Sequence, residues 1–179
     1  MNLEFTVSPN ITFEQAMELT QDLLASTPSD ALLESAVTAL LQTQNGARGF
    51  FVVFLTGDSA LADAPTPALL KGLRSNPDAI ADLMVKNIAM PTAMVLTHQR
   101  NGDLELAAGS NQTQARSIHL VQQLNLPEIT TLLKTMQSTI QNNTGHYQGF
   151  LDRWGYDQEQ RAAIGQVLSL TLASKLDTK

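Results

Sequence analysis

Along much of the chain apolar side chains recur every three or four positions, the spacing that puts them on one face of a helix. Thr12-Phe13-Glu14-Gln15 has the spacing of a capping box and predicts a helix from Phe13 to about Ala25, with Phe13, Ala16, Met17 and Leu24 inward. Thr27-Pro28-Ser29-Asp30 opens a second, whose apolar stripe is Leu33, Ala36, Val37, Leu40 and Leu41, and Gln44-Asn45-Gly46 ends it. Thr66-Pro67 starts a short helix carrying Leu69, Leu70 and Leu73. Asn76-Pro77-Asp78 starts a longer one with Ile80, Leu83, Met84 and Ile88, which Pro91 closes. Further helices are expected from about Thr113 to Leu124, from Pro127 to the break at Asn142-Asn143-Thr144-Gly145, and from the cap spacing Asp157 to Gln160 on to about Lys175.

Two stretches depart from that period. Phe50-Phe51-Val52-Val53-Phe54-Leu55 offers no polar side, which suits a strand buried on both faces. Asn101-Gly102 favours the positive φ of a type I′ turn and lies between runs rich in Val, Leu and Thr, the signature of a hairpin. A two-residue loop there sets Arg100 opposite Asp103 and His98 opposite Glu105. The expected fold is therefore α+β: about seven helices packed around a small, mainly antiparallel sheet of about three strands, Gly49–Leu55, Ala93–Gln99 and Asp103–Ala108. With no repeat or composition break, residues 1–179 read as a single globular domain.

Composition narrows the function classes more than it names one. The chain has a net charge of −6, with its Lys and Arg scattered, so it lacks the clustered cations that nucleic acid requires, and no nucleic-acid partner is expected. It has no cysteine, hence no disulfide, thiolate nucleophile or Cys-ligated metal. The start shows neither a basic n-region nor an apolar h-region, and no apolar run approaches a membrane span; a cytoplasmic location without membrane contact is the expectation.

Four stretches carry candidate chemistry. Gly57-Asp58-Ser59, following the apolar run, resembles the opening motif of GDS(L)-type SGNH hydrolases, which implies Ser59 as nucleophile. The late Asp-x-x-His of that family is missing: none of His98, His119 and His146 follows an aspartate by three. Gly109, Ser110, Asn111 and Gln112, read as a loop feeding a helix N-terminus with Arg116 one turn in, form a candidate site for a small anionic ligand. His98 opposite Glu105 would pair an acid with a base. Tyr147, Phe150 and Trp154 share one helical face, as core or as a recognition surface. No metal-ligand spacing and no cofactor fingerprint occurs, so neither a metal nor a cofactor is expected. The leading expectation is a non-catalytic domain that binds a protein partner or forms a homo-oligomer; the alternatives are a hydrolase using Ser59 and anion binding at Gly109–Arg116.

Overall fold

The computed structural model of the chain describes residues 5–174, and among these it contains ten helices and no strand. They are α1 (Phe13–Ala25), α2 (Asp30–Leu40), α3 (Gln44–Thr56), α4 (Ala60–Asp63), α5 (Pro67–Leu73), α6 (Pro77–Arg100), α7 (Leu104–Leu124), α8 (Pro127–Asn142), α9 (Gln148–Arg153) and α10 (Gln158–Ser174). The α+β expectation is thereby corrected to an all-helical fold. The expected end of the last helix, Lys175, lies outside the described residues. Internal contacts define two compact units, one up to Leu83 and one from Met84, and the sequence boundary between them falls inside α6.

In the first unit the capping signals act as expected. The Gln15 amide donates to Thr12 Oγ1 and the Thr12 amide to Gln15 Oε1, closing a capping box on α1. Ser29 caps α2, and its buried stripe is the expected Leu33, Ala36, Val37, Leu40 and Leu41. The first departure follows. Thr43 takes up an N-cap and accepts from the Gly46 amide at 3.0 Å, so Gln44-Asn45-Gly46 opens α3 instead of ending α2. The apolar run then coils within α3, with Phe50 stacked on Phe54 at 5.2 Å and edge-on to Phe51 at 5.3 Å. The exposed residues of α3 are Gln44, Asn45, Arg48, Val52 and Thr56, and Gln44, Arg48, Val52 and Thr56 recur every four positions along one helical side.

Close backbone approach sets the packing of this unit. A Cβ on Gly49 would stand 2.6 Å from Ala16 Cβ and 3.0 Å from the Phe13 carbonyl oxygen, so α1 and α3 touch where only glycine fits. On α5, a Cβ on Gly72 would reach 3.0 Å from the Glu34 carbonyl oxygen of α2. Asn76 caps α6, receiving the Ala79 amide at 3.3 Å, while its own Nδ2 donates to the Leu41 carbonyl at 3.0 Å.

In the second unit the predicted hairpin is a helix–helix connection. The Asp103 amide donates to the His98 carbonyl at 2.8 Å and the Gly102 amide to the Gln99 carbonyl at 3.1 Å. With Gly102 at φ +77°, this is a Schellman motif that ends α6 and turns the chain into α7. Of the two positive φ values a type I′ turn would need, only that of Gly102 is present, and the elements it joins are helices. Pro91 does not close α6, which continues to Arg100 with Pro91, Thr92 and Ala93 all buried. Thr92 Oγ1 donates to the Ile88 carbonyl at 2.6 Å and receives Gln114 Nε2 at 2.7 Å, polar contacts that hold the helix around its missing amide. Helix α6 also has the length and hydropathy of a membrane span, with a mean of 1.4 over its most apolar window, where the sequence reading found no such run; half of that window is buried in the protein.

Gly109 to Gln112 lie in the interior of α7, whose buried or half-buried seam is Ala107, Ser110, Gln114, Ser117, Val121 and Leu124. That spacing alternates three and four residues, as helical packing requires, but half the seam is Ser or Gln. Helices α8 and α10 pack together, with Gln137 Nε2 donating to Ser169 Oγ at 2.6 Å. A capping box again starts α10: the Asp157 amide donates to Gln160 Oε1 and the Gln160 amide to Asp157 Oδ1. Gln160 is buried and uses its Nε2 as well, donating to the Ala93 carbonyl at 3.1 Å and to Thr97 Oγ1 at 3.0 Å on α6.

Candidate functional site

A concavity of the first unit lies between α1, the end of α3 and the turn that follows. Met17, Gln21, Leu24 and Ala25 come from α1 at the i, i+4, i+7, i+8 spacing that shares one face. Val52, Val53 and Thr56 come from α3, and Gly57, Asp58 and Ser59 from the turn. Together they enclose an open groove of about 400 Å³. Its floor follows from the Gly49 contact: the helices touch at Ala16 and Gly49, and the groove occupies positions C-terminal to that contact on both.

Local chemistry fixes the turn. The Gly57 amide donates to the Val53 carbonyl at 2.9 Å, which ends α3, and Thr56 Oγ1 donates to the Val52 carbonyl at 2.7 Å. A Cβ on Gly57 would come within 2.8 Å of the Val53 carbonyl oxygen. Ser59 stands at the N-cap of the short α4, and its side chain makes no capping hydrogen bond. The groove thus has an apolar wall and a polar end, with Asp58 the one charged side chain among its described lining residues. Val52 is 41% exposed on that wall.

Of the residues singled out from sequence, Ser59 and Asp58 line this groove. A serine nucleophile needs a base to take its proton. Residues 1–83 contain no histidine, and all three of the chain's histidines belong to the second unit.

The proposed anion junction does not have the expected form. Gly109, Ser110, Asn111 and Gln112 occupy the middle of α7, where backbone amides bond to carbonyls four residues back and present no free helix start. Arg116 is 5% exposed and belongs to the buried side of that helix. His98 and Glu105 lie on successive helices, not on paired strands. Arg100 instead pairs with Asp157, at 2.6 Å, and with Glu159. Its guanidinium, followed by the backbone amide of Gln160, holds the Asp157 carboxyl below its usual range; Arg161, then Gln148, does the same for Asp152.

The aromatic stripe divides. Tyr147 is buried, Phe150 is half-buried and stacks edge-on with Tyr147 and Tyr156, and Trp154 is 53% exposed. Tyr156 is buried; burial pushes its phenol up to about 12, and its hydroxyl has no hydrogen-bond partner among the described residues. Sequence reasoning passed over Val52, which it assigned to a buried strand. Its i+4 spacing from Arg48 and i−4 spacing from Thr56 were the available signal.

The described residues form an all-helical fold with an open groove, and this arrangement does not by itself define an activity. The sequence profile of the family described as Uncharacterised conserved protein UCP020893 matches residues 12–171, and the chain belongs to that family. Neither curated proteins nor solved structures give a match.

Proposed function

We propose that the chain is a non-catalytic helical domain that binds a protein segment, from a partner or from another copy of itself, through the groove between α1 and α3. The observation that carries this reading is the groove's surface: an apolar wall with Val52 substantially exposed, ending in a single carboxylate, Asp58. A concave wall that leaves an apolar side chain in water, with one charge at its end, suits an apolar anchor beside a cation. Fluorescence anisotropy with short labelled peptides, each carrying an apolar side chain next to Arg or Lys, tests it. Saturable binding is expected for the wild type, with about tenfold or greater weakening in Val52→Glu. If no such peptide binds and the protein does not self-associate, the reading fails.

A second reading, acyl transfer at Ser59, is favoured by one observation: the serine lines the same groove. It lacks a histidine within its unit. Incubation with a serine-directed fluorophosphonate followed by peptide mapping separates the two readings, because labelling at Ser59 would make the groove an active site.

A further inference from the structure

We propose that the occupant of the groove is the Arg153-Trp154 turn of a second copy of this chain, giving a head-to-tail self-association. The proposal rests on the reading of the groove as a protein-binding surface and names what fills it.

The turn that ends α9 presents Trp154 rigidly. The Tyr156 amide donates to the Leu151 carbonyl at 3.3 Å and the Gly155 amide to the Asp152 carbonyl at 3.0 Å, with Gly155 at φ +64°. This is a Schellman motif. Leu151 and Tyr156, which flank it, are buried at 0% and 5% exposure, so the backbone beneath Trp154 is anchored on both sides. A tryptophan at 53% exposure on a fixed turn pays little ordering entropy on binding, and tryptophan and arginine are both enriched among interface hot spots.

The charges agree. Asp152, the nearest acid in sequence, is already engaged by Arg161 at 2.8 Å and Gln148 at 2.9 Å, which leaves the exposed Arg153 as the cation next to Trp154 in the chain. The groove offers the complement, an apolar wall ended by Asp58. Its volume of about 400 Å³ accommodates one large aromatic side chain. With the indole against Met17, Leu24 and Val52, the Arg153 guanidinium can meet the Asp58 carboxylate in a bidentate pair. Each copy then uses a groove and a turn, so the contact is heterologous and either propagates or closes as a ring. A contact of one turn in one groove belongs to the small, reversible class of interface.

Trp154 is the chain's single tryptophan, so its emission reports this contact alone. Wild-type protein is diluted from about 1 mM, the weak end of the affinity scale, and followed by light scattering and tryptophan emission. Average mass is expected to rise with concentration while emission shifts to the blue, and both changes are expected to weaken in high salt. Val52→Glu and Trp154→Ala should each remain monomeric. Mixed, they should form a one-to-one complex, because the intact groove of Trp154→Ala receives the intact turn of Val52→Glu, and the blue shift should return. Asp58→Arg and Arg153→Asp should each abolish association, and the two combined in one chain should restore it.

A wild type that stays monomeric overturns the proposal, as does an emission spectrum that dilution does not change. Mass growth that neither Val52→Glu nor Trp154→Ala affects overturns it too, by placing the contact elsewhere. In each of these cases peptide binding that Val52→Glu abolishes would leave the groove a protein-binding surface with a different occupant.

Discussion

Both units of this chain bury an apolar core, but they differ in the contacts that join particular pairs of helices. In the first, α1 meets α3 and α2 meets α5 at glycines, and the helices approach until backbone and side chain touch. In the second, long helices are linked by polar side chains: Gln160 to Ala93 and Thr97, Gln114 to Thr92, Gln137 to Ser169, and Gln122 to Ser174. Close approach depends on the absence of a side chain and tolerates no addition. Side-chain linkage depends on the presence of one and tolerates no removal, because a buried carbonyl or hydroxyl that loses its partner keeps its desolvation cost.

The sharpest way to break this contrast is Gly49→Val, which places new atoms where a Cβ alone would stand 2.6 Å from Ala16 Cβ. Denaturant unfolding should show a loss of about 3 kcal/mol. Hydrogen exchange should rise first across α1 and α3. Next in size is Gln160→Ala, which removes one arm of the α10 capping box and both bonds to α6, with an expected cost of about 2 kcal/mol. Here exchange should rise in α10 and in the second half of α6. Equal effects of either variant on both units would erase the distinction.

Tyr156→Phe acts in the opposite direction. Its removal of a buried hydroxyl that has no partner among the described residues should raise stability at neutral pH by about 1 kcal/mol. An unfolded tyrosine loses its proton near pH 10, whereas burial holds the folded Tyr156 proton up to about 12. Between those values the unfolded state binds fewer protons, so stability falls as pH rises. Unfolding midpoints measured across that interval should decline less steeply in the variant than in the wild type. The smallest effect is that of Gly109→Ala. In the interior of α7, with nothing within 4 Å of its Cβ position, alanine should add about 0.5–1 kcal/mol, the gain expected in a helix and absent from the loop read from sequence.

The helices marked by both a cap and a regular apolar stripe were legible from sequence. Thr12 with Gln15, Ser29 before Leu33, Pro127 before Ile129, and Asp157 with Gln160 begin helices in the structure as their spacing indicates. Where the two signals parted, the reading failed. In α3 the six-residue apolar run is shorter than two helical turns, and its solvent face shows only when Asn45, Arg48 and Thr56 are counted with Val52. In α7 the packed seam is Ala, Ser and Gln as much as Val and Leu, so hydrophobicity alone does not trace it. Asn101-Gly102 suits both a type I′ turn, which needs positive φ at both residues, and a Schellman motif, which needs it at Gly102 alone, and β-favouring Val and Thr nearby decided wrongly between them. One end of the groove was visible in the same way. Gly57-Asp58-Ser59 drew notice as a motif, but the wall that gives it a surface comes from Met17 and Leu24, read as core, and Val52, read as strand.

The turn at Asn101-Gly102 also bears on how the molecule ages. An asparagine before glycine deamidates when the glycine nitrogen attacks the asparagine side-chain carbonyl and closes a five-membered imide. In the folded chain that nitrogen is committed to the Gln99 carbonyl, 3.1 Å away, within a helix-ending turn fixed by a second bond from Asp103 to His98. Attack therefore waits for the end of α6 to fray, an opening governed by local and not global stability. The fraction of chains carrying aspartate or isoaspartate at position 101 becomes a chemical clock for that one turn, and it runs faster in any variant that loosens it.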